Sequence, residues 1–480
     1  MKLAPRRRLI LRAAIGTDDV AVAAWRAWRS HFHVAEADEE ESRLLTLIAY
    51  RLQQLDLGDP EFARIEGLRR FQWAESASIR GALQETLNAL EAAGVESMVF
   101  KGVALLDVYP NTATRTMHDV DLLVPGERLD QALSVLQRTG WQPFHRIRFS
   151  SVRHVARHLP GWNFKNARGQ SIDLHWRPLH GFALREGADA RLWAGRRPCE
   201  VAGIRFCRPA PAHHVALLLG HGLRFRSGAM LQSLVDTAMA LRSTEVDVEA
   251  LRAVSNEYRL SGTVRTGLSL IAEISHDARA RALANGVGVS LRARCGAAAR
   301  LRGPGRMKTV LEQLAGADEK PVASTPSPRR LRADDTLDFR DADVVGSVGT
   351  GWWPSEEWGS WSVGRRATVG IELDADVETR LLVLCQAFTT ERSPSQTVHV
   401  RINGARVARW DFAFGEPKHE REVALPDGRG RYDIEFRIAR PRCPTRELGY
   451  HDDRLLGLGV TSIRVEAAMR ARARSGDPVP

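Results

Sequence analysis

The chain has 480 residues, which exceeds what one ordinary hydrophobic core holds and predicts two or three domains. Its apolar content of 44% and charged content of 26% are typical of a globular protein, and it has no uncharged apolar run long enough for a membrane span. The net charge of +11 comes from arginines spread over the whole chain, so we expect no nucleic-acid partner, whereas an anionic small substrate such as a nucleotide fits.

Residues 1–93 are predicted to form an N-terminal helical segment, because apolar side chains recur there at helical spacing. The basic N-terminus is interrupted by Arg12 after a very short apolar stretch, which makes a poor secretory signal. The five cysteines are scattered and none has metal-ligand spacing with another, which indicates a reducing compartment. We therefore expect a cytoplasmic protein.

Residues 94–210 alternate between predicted strands and helices, which is typical of an α/β core with a small mixed sheet. The predicted strands are 95–100, 120–124, 141–144, 150–155 and 171–176, and the predicted helices begin at Gly102 and Glu127. Residues 211–316 then return to helical spacing and are predicted to form a helical domain.

The composition changes at residues 317–335, which are rich in Pro, Ser and charge and are predicted to be a linker. Residues 336–468 contain short alternating runs separated by turns, including an Asn403-Gly404 hairpin signal, and predict a β-sandwich or jelly roll. Residues 469–480 are basic and are predicted to be a disordered tail. The predicted fold class is therefore α+β, with an appended β-sandwich domain.

Two aspartates, Asp119 and Asp121, interrupt an apolar run one residue apart. In a strand their carboxylates point to the same face, where two like charges are unfavourable unless a cation lies between them. Asp173 lies in another predicted strand, between Ile172 and Leu174. Three carboxylates from neighbouring strands can hold two Mg²⁺ ions, with Mn²⁺ as a substitute, in the arrangement that assists displacement at phosphorus.

A second feature, Lys101-Gly102, lies where a predicted strand passes into a helix. Glycine lets the backbone approach a ligand closely, and the N-terminus of a helix offers N–H groups to a phosphate. Together with the aspartates, this pattern indicates a phosphate and metal site.

These motifs resemble the DNA polymerase β-type nucleotidyltransferase superfamily, and within it a bacterial family known only as nucleotidyltransferase family proteins. The matching pieces are Lys101-Gly102-x-Ala104-Leu105, Tyr109-Pro110, Arg115-x-Met117-x-Asp119-x-Asp121, Asp173-Leu174-His175-Trp176, the helix from His214 to His221, and Leu234-x-Asp236. The resemblance covers roughly residues 20–300 and is specific as a set rather than motif by motif.

The resemblance implies a polymerase-β-like core at 94–210 and assigns roles to its residues. Asp119 and Asp121 would bind both metals, Asp173 would complete the site and help activate the acceptor, and the Gly102 backbone would touch the triphosphate. The superfamily usually has Gly-Ser at this turn, where this chain has Lys101-Gly102. Lysine could replace the serine hydroxyl as a phosphate ligand, or point away from it.

Other polar residues of the motifs allow two interpretations. Arg115 precedes the Asp119 strand and could bind the triphosphate or form a structural salt bridge. His175 is predicted to be a core residue. His221 and Asp236 lie on predicted helices and are predicted to form a buried hydrogen-bonded pair.

The C-terminal region has four tryptophans within eleven residues, at positions Trp352, Trp353, Trp358 and Trp361. Aromatic rings with nearby acids can grip sugars by stacking and hydrogen bonding, so these residues are candidates for glycan binding. The alternative is that they pack in the sandwich core. The region loosely resembles β-sandwich domains attached to bacterial polysaccharide enzymes.

The function these features favour is a Mg²⁺-dependent nucleotidyltransferase that moves a nucleoside monophosphate from an NTP to a small-molecule, sugar or protein acceptor. Its candidate nucleotide-binding residues are Lys101, Gly102 and Arg115. The alternative is a catalytically inactive nucleotide- or glycan-binding protein that acts through its β-sandwich.

Overall fold

The computed structural model describes residues 3–144, 147–156, 159–179, 188–224, 228–301, 328–374, 379–425, 429–448 and 454–467. The chain divides into two compact units. Unit 1 comprises Met1–Gln142 and Leu159–Pro321, and unit 2 comprises Pro143–His158 and Val322–Pro480. The predicted helical segment, core and helical domain of residues 1–316 are thus grouped in one unit, except for 143–158.

Helices make up most of unit 1 and alternate with strands in its middle. The helices are α1 (Pro5–Ile15), α2 (Asp18–Arg29), α3 (Glu39–Gln53), α4 (Phe62–Ala92), α5 (Leu129–Arg138), α6 (Phe149–Val155), α7 (Ala188–Ala194), α8 (Pro211–Gly222), α9 (Met230–Ser243), α10 (Val248–Glu257), α11 (Ser261–Ser275), α12 (Ala278–Gly286), α13 (Leu291–Arg300), α14 (Ala342–Val348) and α15 (Pro444–Leu448). Short 3₁₀ helices span Val34–Glu36, Gly102–Val108 and Gly126–Arg128. None of these described helices is both long and apolar enough to cross a bilayer.

The strands of the described residues fall into four sheets. The strands are β1 (Met98–Val99), β2 (Val120–Leu123), β3 (Gln142–Pro143), β4 (Gly161–Lys165), β5 (Ser171–His175), β6 (Arg197–Val201), β7 (Ile204–Arg208), β8 (Arg329–Leu331), β9 (Thr336–Asp338), β10 (Ser360–Val363), β11 (Arg366–Asp374), β12 (Thr379–Ala387), β13 (Ser395–Ile402), β14 (Ala405–Ala413), β15 (His419–Ala424), β16 (Arg429–Ile438) and β17 (Leu456–Ala467).

The sheet that positions the aspartates is mixed, with the strand order β1-β2-β5-β4-β3. Strands β2 and β5 pair in parallel, whereas β1 pairs with β2 and β4 with β5 in antiparallel fashion. All four residues of β2 are buried, and Ile172 and Leu174 of β5 are also buried. The predicted small mixed sheet with flanking helices is confirmed.

Two helices of unit 1 begin or end at residue types that favour a helix end. Asp38 begins α3 by accepting a hydrogen bond from the Glu41 backbone N–H, while Glu41 bonds back to the Asp38 amide. The 31-residue α4 ends just before Gly94, whose φ of 69° is readily adopted only by glycine. The end of α4 at Gly94 leads the chain into β1.

Unit 2 is a sandwich of two five-stranded sheets around one apolar core. One sheet has the order β10-β17-β12-β15 with β9 paired to β17, and the other has the order β14-β13-β16-β11-β8. The Asn403-Gly404 turn joins β13 to β14, and both residues have positive φ, as a tight hairpin turn requires. The predicted β-sandwich is confirmed.

Two local predictions are wrong. Residues 150–155, predicted as a strand, lie in helix α6, which packs against α14 in unit 2 and buries Ser151 and Val152. The linker was predicted to extend too far, because β8 lies within its predicted bounds and pairs in parallel with β11 as an edge strand of the sandwich. The helix predicted to begin at Gly102 is present as a short 3₁₀ helix. Most of the predicted linker and all of the predicted tail lie outside the described residues.

Candidate active site

Strands β2 and β5 bring two of the predicted carboxylates side by side. In their parallel register Asp121 pairs directly with Asp173. The apolar neighbours Ile172 and Leu174 point to the opposite, buried face of β5, so Asp173 is directed away from the core. Asp121 is buried, and Asp173 is a quarter exposed, which places the pair where solvent and a ligand can reach it.

Asp119 lies one residue before β2. The alternation had predicted that it lies within the strand. The residue is exposed overall. Atoms packed around its carboxylate, together with repulsion from Asp121 and Asp173, nevertheless raise the pKa of Asp119 to about 6, while Lys101 and Arg43 oppose the increase. The three predicted aspartates therefore interact as one electrostatic cluster.

His175, which was predicted to be a core residue, joins the same cluster. It follows Asp173 by two residues on β5 and so shares its face of the sheet. Its Nε2 lies 2.9 Å from Asp173 Oδ2 and 3.4 Å from Asp121 Oδ1. Burial lowers the His175 pKa, but the two carboxylates outweigh burial and raise it to about 9. The Asp173-x-His175 alternation was the sequence signal that could have identified it.

Lys101 points into the cluster. Its Nζ forms an ion pair with Asp121 Oδ1, and its backbone N–H donates to His214 Nε2 at 3.3 Å. Both Lys101 and Gly102 have positive φ, of 64° and 32°, which is a strained conformation for lysine. The backbone that turns Lys101 toward Asp121 is therefore held against a local conformational cost.

The imidazole of His214 receives this backbone hydrogen bond because its ring is neutral. Burial first, and then the nearby Arg208, lower the pKa of His214 to about 4. His221, seven residues closer to the C-terminal end of α8, has a pKa well below its usual value because of burial, Lys101 and His175. Its Nε2 donates to the Pro178 carbonyl at 2.7 Å. The predicted partnership of His221 with Asp236 is wrong, because each side chain bonds elsewhere.

Arg115 forms a buried ion pair. Its Nε and Nη2 donate to the two carboxylate oxygens of Asp236 on α9, at 2.9 and 2.8 Å. Tyr109 and Gln232 also donate to Asp236. The structure therefore uses the Arg115 guanidinium to tie the segment before Asp119 to α9, and a role for Arg115 in nucleotide binding stays a prediction.

The four tryptophans within residues 352–361 are half-buried. Trp352 packs against Phe339 and Phe436 of the sandwich core. Trp358 and Trp361 lie in a T-shaped pair with ring centroids 5.0 Å apart, over the backbone of Gly459. The Trp353 ring lies 4.8 Å from the Arg454 guanidinium. Glycan binding by these residues stays a prediction.

The sequence matches the family described as uncharacterised nucleotidyltransferase over residues 35–276, about half of the chain. The chain belongs to this nucleotidyltransferase family. The matched region contains all of β1, β2 and β5, and so includes the three aspartates, Lys101 and His175. No curated protein is significantly similar to the chain in sequence.

Among solved structures, this nucleotidyltransferase family member is similar to the antibiotic-resistance factor ANT(2'')-Ia. The identity is 12%, over 38% of this chain and 92% of that chain, with a TM-score of 0.27. An antigenic nucleotidyltransferase-like protein from Paracoccidioides brasiliensis is 14% identical, over 44% of this chain and 93% of that chain, with a TM-score of 0.29. A family 35 carbohydrate-binding module from an environmental isolate is 18% identical, over 25% of this chain and 74% of that chain, with a TM-score of 0.17.

Nucleotidyltransferases typically use divalent metals, and the residues of the cluster fit one. Ligand atoms of Asp121, Asp173 and His175 all lie within 4.8 Å of one another. Carboxylate oxygens suit Mg²⁺ and Mn²⁺, and an imidazole nitrogen also suits Mn²⁺. The Lys101 ammonium, already paired with Asp121, shows that this group of carboxylates holds a positive charge.

Proposed function

We propose that unit 1 is a divalent-metal-dependent nucleotidyltransferase that transfers a nucleoside monophosphate from an NTP to an acceptor hydroxyl or phosphate and releases pyrophosphate. The observation that carries the proposal is the direct pairing of Asp121 with Asp173 in the parallel register of β2 and β5. Two carboxylates at adjacent positions of a sheet are unfavourable unless a cation binds there. The family match supports the reaction class.

The residues of the cluster have separate roles in this proposal. Asp119 and Asp121 would hold two Mg²⁺ ions, with Mn²⁺ as a substitute, and Asp173 would complete the ligand set and accept the proton of the acceptor hydroxyl. Bound metal would neutralise phosphate charge and fix the geometry of an in-line displacement. The turn at Lys101-Gly102 would contact the phosphates.

In this proposal the Lys101 ammonium occupies one of two positions, depending on whether metal is bound. Its ammonium pairs with Asp121 in the structure, and a metal bound at Asp121 would repel it. The displaced ammonium would then be available to a phosphate oxygen near the same carboxylate. This would make lysine a substitute for the serine hydroxyl that the superfamily usually has.

Transfer of label from α-³²P-labelled NTPs tests the proposal. The four NTPs are incubated in turn with the protein, Mg²⁺ or Mn²⁺, and a panel of sugars, aminoglycosides, bacterial small-molecule extract and the protein itself. We expect one NTP to yield a labelled acceptor and pyrophosphate, and we expect EDTA to stop the reaction. Binding of an NTP without transfer to any acceptor would instead support the inactive binding-protein alternative.

A second proposal concerns unit 2, whose aromatic cluster would bind a glycan. It is supported by the half-buried Trp353 and Trp358 and by the ion pair between Glu356 and Arg454, with Nη1 and Oε1 2.7 Å apart. Trp358 Nε1 donates to the other oxygen of the same glutamate at 2.8 Å. Rings held by a charged pair offer both a stacking face and hydrogen-bonding groups to a sugar.

Replacing Trp358 with alanine is expected to weaken glycan binding by at least about tenfold, because stacking and its hydrogen-bonded support are both lost. Binding of the full chain to soluble glucose and xylose oligomers by calorimetry measures the effect. Phe414→Ala is the matched control, since Phe414 is an exposed aromatic of the same unit outside the cluster. Equal losses in both variants, or no oligomer bound by the wild type, would contradict a sugar site at this cluster.

A further inference from the structure

The carboxylate cluster lacks enough positive charge for a triphosphate. Asp119, Asp121 and Asp173 interact with one another electrostatically, and a nucleotide would add its own negative charges. Two divalent ions do not neutralise so many charges, and phosphate sites in proteins usually add arginine or lysine. The chain should therefore supply a cation beside the cluster.

Most cations near the cluster already have a partner among the described residues. Lys101 is paired with Asp121, Arg115 with Asp236, and Arg43 with Glu39, whose Oε1 lies 2.6 Å from Arg43 Nη2. The guanidinium of Arg300 donates to the carbonyl of Gly220 on α8. These contacts leave few groups that a phosphate could engage without first breaking an existing ion pair.

Arg224 is placed differently. It lies two residues beyond Gly222, the last residue of α8, and three residues beyond His221, where the chain has already left the helix. The His221 ring packs against His175 of the cluster, with ring centroids 5.7 Å apart, and against Phe100, the residue before Lys101. The last turn of α8 therefore lies beside the cluster through His221, and Arg224 follows that turn closely in the chain.

The charge of Arg224 lies within electrostatic reach of the same carboxylates. Burial lowers the pKa of its guanidinium, and Asp173 and then Asp121 act in the opposite direction. Its Nε is buried and has no hydrogen-bond partner among the described residues. The Nε atoms of Arg43 and Arg300 share this property, but their guanidinium groups already donate through Nη2. A buried guanidinium donor with no acceptor is costly unless a ligand supplies one.

We propose that Arg224 binds the triphosphate of the nucleotide substrate and so sets a preference for nucleoside triphosphates over monophosphates. The inference rests on the nucleotidyltransferase function proposed above and names a residue for which the sequence motifs gave no role. Arginine suits it, because the planar guanidinium presents several donors to phosphate oxygens at once. Arg224 would thereby complement the metal from the α8 side of the cluster.

Calorimetry with the full chain in Mg²⁺ tests the assignment, using inorganic tripolyphosphate, ATP, GTP, CTP, UTP and the matching monophosphates as probes. Arg224→Gln removes the charge at similar size, and Arg224→Lys keeps the charge but loses the planar donors. We expect Arg224→Gln to weaken binding of tripolyphosphate and of the preferred NTP by at least about tenfold. Monophosphate affinity should change by less than about twofold, and Arg224→Lys should recover part of the loss.

Arg196→Ala is the charge-matched control, since Arg196 pairs with Glu96 at the other end of β1 and should leave all affinities within about twofold. Unchanged tripolyphosphate binding in Arg224→Gln, or in Arg224→Lys if the glutamine variant fails to fold, would overturn the assignment while leaving the proposed function intact. Equal weakening of triphosphate and monophosphate would also overturn it, because it would indicate that Arg224 only orders the site. A wild type that binds no NTP would overturn the proposed function as well.

Discussion

Replacing Asp121 with asparagine is expected to lower Mn²⁺ affinity by about a hundredfold and nucleotidyl transfer by about a thousandfold. Asp121 lies opposite Asp173 in the register of β2 and β5, and both contribute ligand atoms to the one group that could hold a metal among the described residues. Losing one carboxylate removes a charged ligand, and each 1.4 kcal/mol of lost stabilisation is a tenfold effect. Mn²⁺ titration by electron paramagnetic resonance and the labelled-NTP assay measure the two effects.

Asp107→Asn provides the control for this variant. Asp107 is an exposed carboxylate of the 3₁₀ helix that follows Lys101-Gly102, and it pairs with Arg208, whose Nη1 lies 2.7 Å from Asp107 Oδ2. Its replacement removes the same charge a few residues from the site and should leave metal affinity and transfer within about twofold. Mn²⁺ affinity that survives in Asp121→Asn would place the metal elsewhere.

Replacing Asp236 with alanine is expected to lower the free energy of unfolding by about 3–5 kcal/mol, because it leaves a buried guanidinium without its partner. The Arg115 side chain is only 9% exposed and that of Asp236 only 3%. Burial alone would lower the pKa of Arg115, but the Asp236 carboxylate raises it overall, which shows how closely the two charges are coupled. Urea unfolding followed by circular dichroism measures the change.

Two comparisons separate the ion pair from general damage to unit 1. Asp247→Ala removes an aspartate that begins α10 by accepting from the Ala250 N–H, and it should cost only about 1 kcal/mol. The double replacement Arg115→Met/Asp236→Leu removes both charges and should be less destabilising than Asp236→Ala. A small effect of Asp236→Ala would show that Arg115 finds water or another acceptor.

The sequence predicted most of the sandwich because its strands alternate between core and surface. β12 shows this pattern, with Leu381, Val383 and Cys385 buried between less buried neighbours. Strand β15, which no alternating run of the sequence indicated, is an edge strand. Only Val423 of its six residues is buried, so its composition resembles a polar loop. β8 is also an edge strand and begins with two exposed arginines. These two edge strands bury too few residues to be visible as alternation.

The sequence predicted only those site residues that their immediate neighbours in the chain mark as unusual. Asp119, Asp121 and Asp173 stood out as charges within apolar runs, and the parallel pairing of β2 and β5 brings two of them together. His175 was predicted to be a core residue, although its spacing of two residues from Asp173 already indicated that the two side chains share a face of the strand. Arg224 carries no motif, since its proximity depends on how α8 packs against the sheet.

The choice between the two interpretations of Arg115 also required the folded chain. Its partner Asp236 is 121 residues away in sequence, on α9. Nothing local distinguishes an arginine that binds phosphate from one that joins two segments of a core. The contact with Asp236 accounts for its burial without a ligand.

Mg²⁺-dependent NTP binding, measured by calorimetry on the wild type and on Asp119→Ala/Asp121→Ala, tests the central claim most directly. We expect an NTP to bind the wild type only when Mg²⁺ or Mn²⁺ is present, and we expect the double variant to lose that binding while keeping the circular dichroism of the wild type. A wild type that binds no NTP with either metal, or a double variant that binds as tightly as the wild type, would contradict the claim that these carboxylates hold a metal–nucleotide complex.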